Sequence, residues 1–302
     1  MSAMVEIEGC TKVYRVGSFG STRLTAVRDV SFDVQAGEVV SLIGESGSGK
    51  STIGRMILRL SPVSAGTIRF NGEDVAALKG RGLREYHRHA QGVFQDPFSS
   101  YNPIYKADRV FTMVKDTYFP AVDAHDWARK INASLEAVSL DPTQVLHKYP
   151  HQLSGGQLQR LLVARALLLD IDFLVADEII SMLDASTRID VLNLLGDLKA
   201  RGLGILFITH DLSLGNYISD RTVILRRGVI VEMGATVKVF GDPQHAYTQM
   251  LLESVPHLHR KWEDMKADYA RADAAIESDA IDSTLVELEP DHLVRRAGGA
   301  SA

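Results

Sequence analysis

Cysteine is almost missing from this 302-residue chain, and long apolar runs are missing altogether. Cys10 is the single cysteine, so an intramolecular disulfide, a multi-cysteine zinc site and a cysteine-ligated iron–sulfur cluster are excluded. A reducing compartment fits this composition. No stretch reaches the roughly 20 apolar residues that span a bilayer, and the N-terminus lacks the basic start and apolar run of a secretory signal. If the protein works at a membrane, we expect it to do so through a partner.

A surplus of positive charge is also missing. The formal net charge is −5, whereas a dedicated nucleic-acid binder usually carries a basic surplus that neutralises phosphates. We therefore expect no nucleic-acid partner, although the net charge does not exclude local basic patches. Hydrophobic residues make up 45% of the chain, which is enough to bury the core of one large domain with an extension or of two modest domains.

A glycine-rich loop follows an apolar run near residue 40. Residues 39–43 predict a buried strand, and the apolar residues Ile53, Met56, Ile57 and Leu60 predict one face of a helix that ends at Ser61-Pro62. The loop between them reads Gly44-Glu45-Ser46-Gly47-Ser48-Gly49-Lys50-Ser51. Its glycines let the backbone wrap phosphates, Lys50 brings positive charge to the β- and γ-phosphates, and Ser51 offers a hydroxyl to Mg²⁺. The flanking strand and helix make a chance glycine-rich turn the weaker interpretation.

Strands and helices alternate along most of the chain. Residues 173–176 and 205–208 predict further strands, with helices from Ser154 and over residues 189–198, so the pattern predicts an α/β fold with a largely parallel sheet. Residues from about 96 to 149 are mixed, aromatic and helical in pattern, which indicates an inserted subdomain. The last 40 or so residues are acidic with few aromatics and predict a solvated or partly disordered tail.

Polar residues stand at the predicted ends of several strands. Asp177 and Glu178 close one strand, and they are either a solvated loop or, beside a phosphate loop, a magnesium partner and a base that polarises the attacking water. His210 follows another strand, where it is either structural or a sensor of a γ-phosphate. Gln95 also ends a short apolar run, but a lone glutamine is uninformative by itself.

Two further features suggest contacts with a nucleotide. The stretch Leu153-Ser154-Gly155-Gly156-Gln157 is a second glycine-rich, serine-led helix start that offers backbone N–H groups to a phosphate. Tyr14 lies at the end of the first alternating strand, where an exposed ring can stack on adenine. A ring packed against its own strand is an equally good interpretation of Tyr14.

These residues form an ordered set that resembles the ATP-binding cassette (ABC) ATPases over about residues 5–255. The matches in the first half of the chain are Tyr14 to the adenine-stacking position, residues 44–52 to the Walker A loop and Gln95 to the Q-loop. The matches that follow are residues 153–157 to the signature, residues 173–177 to Walker B, Glu178 to the catalytic glutamate, residues 181–184 to the D-loop and His210 to the switch histidine. As an ordered set these motifs are very specific.

The resemblance implies an α/β phosphate-loop ATPase with a RecA-like core sheet, an N-terminal antiparallel β-subdomain, an inserted α-helical subdomain and a C-terminal extension. It places the nucleotide-binding domain at residues 1–240, with the helical subdomain at about residues 96–165. The extension, of the oligopeptide-transporter type and with the acidic, partly disordered tail, occupies residues 241–302.

The resemblance also implies ATP and Mg²⁺ as cofactors and assigns roles to residues. Glu178, His210 and Gln95 are the implied catalytic residues, and Ser51, Gln95 and Asp177 the implied magnesium partners. The implied nucleotide contacts are Tyr14, Gly44, Glu45, Ser46, Gly47, Ser48, Gly49, Lys50, Ser51, Thr52, Ser154, Gly155, Gly156, Gln157 and Asp184.

Finer detail is similar to the branch of importer ATPases for dipeptides, oligopeptides and nickel, whose relatives also carry oligosaccharides. The matching stretches are residues 95–103, residues 149–152 before the signature, and His245-Ala246-Tyr247-Thr248. The chain departs from the family pattern at Ile179 and Ala246, where the family usually has proline. It also lacks the cysteine cluster that some relatives carry near the C-terminus.

In this branch the resemblance implies a peripheral subunit at the cytoplasmic face of the inner membrane. The implied partners are a second cassette, either another copy or a homologue, two transmembrane permeases and, through them, an external substrate-binding protein. The signature of one cassette closes over ATP held by the other. Residues 95–111 would contact the permease, and Phe98, Tyr101, Tyr105 and Phe111 line that dock or fill the core of their own subdomain.

Two other classes of function are weighed against this one. A regulatory cassette that binds ATP but hydrolyses it poorly is disfavoured by the intact Glu178, Gln95 and His210, although Ile179 keeps it open. A non-transport cassette acting on DNA or ribosomes usually fuses two cassettes or adds large insertions, and this chain shows neither.

Overall fold

A computed structural model describes residues 3–16, 22–169, 171–181, 183–253 and 283–297 of the chain. The strands are β1 (Val5–Val16), β2 (Thr22–Val34), β3 (Val39–Ile43), β4 (Ala65–Phe70), β5 (Glu73–Asp74), β6 (Ala90–Val93), β7 (Phe173–Asp177), β8 (Gly204–Thr209), β9 (Arg221–Arg226), β10 (Val229–Ala235), β11 (Ser283–Glu289) and β12 (His292–Ala297). The helices are α1 (Lys50–Ile57), α2 (Gly80–His89), α3 (Arg109–Tyr118), α4 (Ala124–Ala137), α5 (Pro142–Val145), α6 (Gly155–Leu167), α7 (Ala185–Ala200), α8 (Leu212–Ile218), α9 (Thr236–Gly241) and α10 (Ala246–Glu253).

Two sheets organise the molecule. An N-terminal antiparallel sheet has the strand order β2-β1-β4-β5, and an eight-stranded sheet has the order β11-β12-β10-β9-β3-β8-β7-β6. In the larger sheet β6, β7, β8, β3 and β9 are parallel neighbours, whereas β9, β10, β12 and β11 pair antiparallel. This architecture confirms the predicted α/β class with an antiparallel N-terminal subdomain and a largely parallel core sheet.

The core lies on both faces of the larger sheet, because its central strands are apolar on both sides. On one face Val175 and Ile208 pack with Ile53 and Met56 of α1 and with the N-terminal sheet. On the other face a second cluster joins Leu174, Ala176, Ile205 and Phe207 to Leu158 and Leu161 of α6 and to the helices inserted between β6 and β7. Each fully buried large apolar side chain contributes roughly 1.5–3 kcal/mol to the free energy of unfolding.

Helix α1 is shorter than its apolar pattern predicts. It ends at Ile57, and Leu60, which the pattern places on the buried face, is 60% exposed. Arg59 has a positive φ of 54°, while the N–H groups of Arg59 and Leu60 bond to the carbonyls of Met56 and Arg55. This left-handed C-terminal cap turns the chain before the fourth apolar residue reaches the helix face.

Part of the acidic tail, which is predicted to be solvated or partly disordered, is folded at residues 283–297. There β11 and β12 form a hairpin that joins the larger sheet, with Gly234 of β10 paired to His292. Val294 is 2% exposed. Pairing with β10, which lies about 60 residues earlier in the chain, and the burial of apolar side chains therefore outweigh the tendency of an acidic segment to stay unfolded. Residues 254–282 and 298–302 of the predicted tail lie outside the described part of the chain.

None of the helices in the described part of the chain combines the length and hydropathy that a membrane-spanning helix requires.

Candidate functional site

The phosphate loop and three of the predicted site residues, Asp177, Glu178 and His210, gather at one edge of the larger sheet. Ile43, the last residue of β3, pairs with Thr209, the last residue of β8, while Asp177 ends β7 opposite Ile208. The phosphate loop, Glu178 and His210 therefore all follow the carboxyl ends of neighbouring parallel strands. Ligands bind at this edge in open α/β sheets.

The glycines of the phosphate loop allow a backbone path that side chains would block. Gly49 has a φ of 106°, and a Cβ atom there would lie 2.5 Å from the carbonyl oxygen of Ala26. A Cβ atom on Gly44 would lie 2.0 Å from the carbonyl oxygen of Leu225. Gly47 also has a positive φ, of 82°, but nothing lies within 4 Å of its Cβ position. Neighbouring backbone therefore packs closely against the loop at Gly44 and Gly49, whereas the space around Gly47 is open.

Lys50 is folded back onto the loop at the start of α1. It is 5% exposed, and its Nζ atom donates to the carbonyl oxygens of Gly44 at 2.6 Å and of Glu45 at 2.8 Å. Burial lowers the pKa of Lys50, while the carboxylates of Glu178, Asp177 and Glu45 act in the opposite direction. A buried cation whose hydrogen-bond partners are neutral oxygens, the two carbonyls and the Ser48 hydroxyl at 3.5 Å, is well prepared to bind a phosphate.

Ser51 and Asp177 connect the first turn of α1 to the end of β7. Asp177 is 4% exposed, and burial raises its pKa, whereas a hydrogen bond from the Ser51 side chain lowers it. A hydroxyl and a carboxylate side by side are oxygen ligands of the kind that Mg²⁺ prefers. These two residues therefore fit a magnesium ion at the mouth of the phosphate loop.

Glu178 and His210 face each other across β7 and β8. The Nδ1 atom of His210 lies 3.1 Å from Oε1 of Glu178, whose side chain is 15% exposed against 62% for His210. Glu178 has a φ of 50°, and its backbone N–H donates to the carbonyl of Ile208 at 2.9 Å. A non-glycine residue held in the left-handed region at a strand end indicates a position under local constraint.

Gln95 and Tyr14 lie at the margins of this site. Val93 of β6 pairs with Ala176, so Gln95 leaves β6 at the same sheet edge, where its side chain is exposed. Tyr14 is half-buried, with the Nζ atom of Lys12 4.9 Å from its ring centroid. Burial acts to raise the pKa of Tyr14, but hydrogen bonds with Ser61 and Thr52 and the charge of Lys12 bring it below its ordinary value. The contact with Thr52 joins Tyr14 to the phosphate loop.

The signature is a well-capped helix start on the other side of the sheet. Ser154 is the N-cap of α6: its Oγ atom accepts the N–H of Gln157 at 3.1 Å, and the Gln157 side chain accepts the N–H of Ser154 at 2.9 Å. This reciprocal pair is a capping box. Because α6 packs against one face of the sheet and α1 against the other, one chain does not bring its signature and its phosphate loop to the same face.

The D-loop lies beside the signature. Asp184 is the exposed N-cap of α7 and accepts hydrogen bonds from Ser186 Oγ at 2.6 Å and from the N–H and Oγ1 of Thr187 at 3.0 and 2.9 Å. The Ser186 and Thr187 hydrogen bonds hold the pKa of Asp184 well below its usual range. A Cβ atom on Gly156 would lie 3.0 Å from Leu183 Cδ2, so a glycine at that position lets the two motifs approach closely.

One residue that touches the phosphate loop was not assigned to the site from the sequence. The hydroxyl of Tyr247 accepts the N–H of Glu45 at 3.1 Å, although the two residues are 202 positions apart. Tyr247 belongs to a stretch that the resemblance singled out only as a mark of the branch. No local pattern could place it at the loop, because the contact depends on how α10 packs.

The four aromatics proposed for a docking face divide evenly. Tyr101 and Phe111 are 8% and 1% exposed and belong to the core of the inserted helices, whereas Phe98 and Tyr105 are 48% and 42% exposed. A groove of about 450 Å³ is lined by residues of α3 and β6 and by the exposed Leu60 and Met113. The core interpretation therefore holds for Tyr101 and Phe111, and a docking role stays a prediction for Phe98 and Tyr105.

Comparisons with known proteins give a consistent result. A family model described as ABC transporter matches residues 27–181, and one described as oligopeptide/dipeptide transporter, C-terminal region, matches residues 231–279. The oligopeptide transport ATP-binding protein OppF of Streptococcus mutans is 39% identical over 292 residues, which cover 96% of this chain and 94% of that protein. The dipeptide transport ATP-binding protein DppF of Lactococcus lactis subsp. cremoris is 39% identical over 301 residues, covering 96% and 93%.

Among solved structures, a dimeric ATP-binding cassette in a post-hydrolysis state with ADP and Pi superposes with a TM-score of 0.71. The two sequences are 27% identical, and the match covers 77% of this chain and 99% of the solved one.

Proposed function

The chain belongs to the ABC transporter family of ATPases, and from that premise we propose that it is the ATP-hydrolysing subunit of an ABC importer for di- or oligopeptides. The observation that carries the proposal is the meeting of the phosphate loop, Asp177, Glu178 and His210 at one sheet edge. The peptide cargo rests on two supports: the names of the relatives that cover almost the whole chain and the match of residues 231–279 to the oligopeptide/dipeptide C-terminal region.

Nucleotide binding begins at the phosphate loop. Lys50 exchanges the carbonyls of Gly44 and Glu45 for the β- and γ-phosphates of ATP, and the N–H groups of residues 44–52 line the phosphates. Tyr14 stacks on the adenine and is held near the loop by its contact with Thr52. Mg²⁺, when bound, would neutralise part of the phosphate charge. Ser51, Asp177 and Gln95 are the residues that would hold it.

Hydrolysis needs a base for the attacking water, and Glu178 is the proposed base. Its carboxylate is largely buried and directed by His210 at 3.1 Å, so it can accept a proton from a water placed between it and the γ-phosphate. His210 is more exposed and stands at the rim, where it can donate a hydrogen bond to that phosphate. A positioned base contributes roughly 10²–10⁴-fold in rate.

ABC ATPase subunits of importers work as dimeric cassettes together with permeases. We propose that Ser154, Gly155, Gly156 and Gln157 of one cassette close over ATP bound to the other. The support is the packing of α1 and α6 on opposite faces of the sheet, which separates the two half-sites within one chain. Asp184, adjacent to the signature, would then lie at the same interface.

We further propose that the molecule is a peripheral subunit at the cytoplasmic face of the inner membrane. The proposed contact with a permease is the groove beside α3, which the exposed Leu60 and Met113 line, together with the exposed rings of Phe98 and Tyr105. The nucleotide-binding domain is proposed to span residues 1–240, with its helical subdomain at about residues 96–165. The extension is proposed to span residues 241–302 and to include the hairpin of residues 283–297.

The proposal is tested in two steps with matched variants. Purified protein should hydrolyse MgATP, and Lys50→Ala should abolish nucleotide binding. Cells lacking the gene should lose uptake of labelled di- or oligopeptides, and the wild-type gene, but not the Lys50→Ala gene, should restore it. Peptide uptake that does not depend on the gene, or that the Lys50→Ala gene restores, would contradict the proposed role as an importer ATPase. If the cells take up peptides normally but lose uptake of another cargo, only the assignment of peptides as the cargo is contradicted.

A further inference from the structure

The stretch of residues 245–248 lies against the phosphate loop, a contact that the nucleotide-binding motifs do not include. Tyr247 is fully buried at the second position of α10, and its hydroxyl accepts the backbone N–H of Glu45 at 3.1 Å. This residue therefore reaches the turn of the loop between β3 and α1 from outside the nucleotide-binding motifs.

The peptide unit that Tyr247 holds joins Gly44 to Glu45, and its carbonyl oxygen, that of Gly44, accepts the Lys50 ammonium at 2.6 Å. The carbonyl oxygen of Glu45 accepts the Lys50 ammonium at 2.8 Å and the N–H of Ser48 at 3.1 Å. With its N–H bonded to Tyr247, the Glu45 residue is hydrogen-bonded at both backbone groups. A displaced Glu45 would therefore move both the turn of the loop and the cation that binds phosphate.

Tyr247 is in turn held by a buried carboxylate on β10. The Nδ1 atom of His245 accepts the N–H of Tyr247 at 3.0 Å. The N–H groups of Gln244 and His245 donate to the two carboxylate oxygens of Glu232, at 2.8 and 3.0 Å. Glu232 is fully buried, so its two oxygens fix the start of α10 in a place where no water replaces these donors.

The same carboxylate binds the C-terminal hairpin. The Nε2 atom of His292, at the start of β12, lies 2.7 Å from Glu232 Oε1, and His292 is 2% exposed. Because Glu232 accepts hydrogen bonds at both oxygens, Nε2 of His292 is the donor. Lys238 adds a second link, since its Nζ atom donates to the carbonyl of Pro290 at 2.6 Å. A continuous series of contacts thus runs from the hairpin to the phosphate loop.

We propose that Tyr247 is a positioning residue for the phosphate loop and that the hairpin of residues 283–297 holds it there through His292 and Glu232, so that docking of the hairpin sets the affinity for nucleotide. The inference rests on the proposed function only in that the loop binds nucleotide. It adds a C-terminal element, specific to chains that carry such a hairpin, to the control of that binding.

The first test removes one oxygen atom. Tyr247→Phe keeps the buried ring but loses the acceptor for Glu45, and the Kd for a fluorescent ATP analogue with Mg²⁺ should rise about five-fold, which is about 1 kcal/mol. Turnover at saturating ATP should stay within about two-fold, because no reacting group is touched. Tyr217→Phe is the matched control: its hydroxyl bonds to Asn193 Oδ1 at 3.3 Å on the surface, away from the loop, and its Kd should equal that of wild type.

The second test addresses the hairpin. His292→Leu removes the donor to Glu232 with little change in volume and should also weaken the analogue several-fold, whereas His292→Gln, which keeps an N–H donor, should bind more tightly than His292→Leu. If one series of contacts acts as a unit, the double variant Tyr247→Phe/His292→Leu should lose about five-fold rather than the roughly 25-fold product of two independent effects.

Several outcomes overturn the proposal. An unchanged Kd for Tyr247→Phe, with or without a lower unfolding midpoint, leaves the tyrosine with a packing role only. An unchanged Kd for His292→Leu, or a loss in the double variant equal to the product of the single losses, removes the hairpin from the control of the loop. Wild-type protein that binds no nucleotide, or Lys50→Ala protein that binds it normally, contradicts the proposed function instead, so the two failures are told apart.

Discussion

The Nδ1 atom of His210 lies 3.1 Å from Oε1 of Glu178, and the two residues follow adjacent parallel strands of the central sheet. The backbone of Glu178 is also held in place, because its carbonyl oxygen accepts a hydrogen bond from the hydroxyl of Ser181 at 2.9 Å. The residue proposed as the base is therefore held at its backbone by Ser181 and at its carboxylate by His210. Catalytic groups are most effective when such preorganisation is built into the fold.

Replacing Glu178 by glutamine should stop turnover without preventing binding. Glu178→Gln keeps the volume and the contact with His210 but cannot accept a proton, so steady-state ATP hydrolysis should fall by roughly 10²–10⁴-fold. ATP should still bind, and a dimer with trapped ATP should accumulate in size-exclusion chromatography. Glu136→Gln, an exposed residue of α4, is the matched control. Hydrolysis at the wild-type rate in Glu178→Gln would show that another group is the base.

His210 should act on the rate rather than on the affinity. In His210→Ala the side chain that faces Glu178 is gone, so turnover should fall by at least about ten-fold while the Kd for ATP changes by less than about three-fold. Because 62% of the His210 side chain is exposed, the unfolding midpoint should hardly move. A large drop in the midpoint with normal turnover would indicate a structural histidine.

Mixed dimers should show that the two half-sites act between chains. Lys50→Ala chains cannot bind ATP, and Ser154→Arg chains cannot close over it, so each variant alone should be inactive. If two copies of this chain pair, a mixture contains dimers in which the intact phosphate loop of one chain meets the intact signature of the other, and ATPase activity should reappear. Activity that stays absent in a mixture of folded, stably paired variants would contradict the composite site.

Tyr14 should select for the base of the nucleotide. Tyr14→Ala removes the ring and should weaken ATP binding by roughly 5- to 100-fold, the range expected for stacking of one base on an aromatic side chain. Tyr14→Phe should bind ATP almost normally, since the ring remains. Binding of inorganic tripolyphosphate serves as the control, because it has no base and should be the same in all three proteins. If Tyr14→Ala weakened the binding of ATP and of tripolyphosphate equally, Tyr14 would instead have the role of supporting the phosphate loop through its contact with Thr52.

Cys10 should resist alkylation until the N-terminal sheet opens. It is fully buried, and desolvation raises the pKa of its thiol from 9.0 to about 11. At pH 8 about one part in a thousand is thiolate in the folded chain, against about one part in ten in the unfolded chain. Labelling by iodoacetamide at pH 8 should therefore be at least about 100-fold slower in native buffer than in denaturant. Equal rates would contradict the burial of Cys10.

The same shift of pKa has a consequence for stability at alkaline pH. The unfolded thiol loses its proton from about pH 9, while the folded thiol keeps it up to about pH 11. The contribution of Cys10 to the free energy of unfolding is therefore unchanged below pH 9 and declines as the pH rises from 9 to 11. Comparing denaturant unfolding of wild type and Cys10→Ala at pH 8 and pH 10.5 isolates this decline from other alkaline effects.

Local features of the fold could be predicted because they depend on neighbours in sequence. The strand, glycine loop and helix of residues 39–57 and the helix start at Ser154 follow from apolar spacing and short-range hydrogen bonds. The end of α1 could not be predicted in this way, because one residue in an unusual backbone conformation decides it. Arg59, with a φ of 54°, ends α1 before Leu60, and nothing in its residue type indicates a left-handed cap.

The amino-acid sequence by itself determined which chemical groups are present and in what order: a phosphate loop, two adjacent carboxylates, a histidine after a strand and a second serine-led helix start. Only the tertiary structure decided which of them meet. Parallel pairing of β3, β7 and β8 brings the loop, Asp177 and His210 to one edge, packing on opposite faces separates α1 from α6, and Tyr247 reaches Glu45 across 202 positions. Contacts of this kind form because distant segments bury apolar surface together, a free energy that no local window of sequence contains.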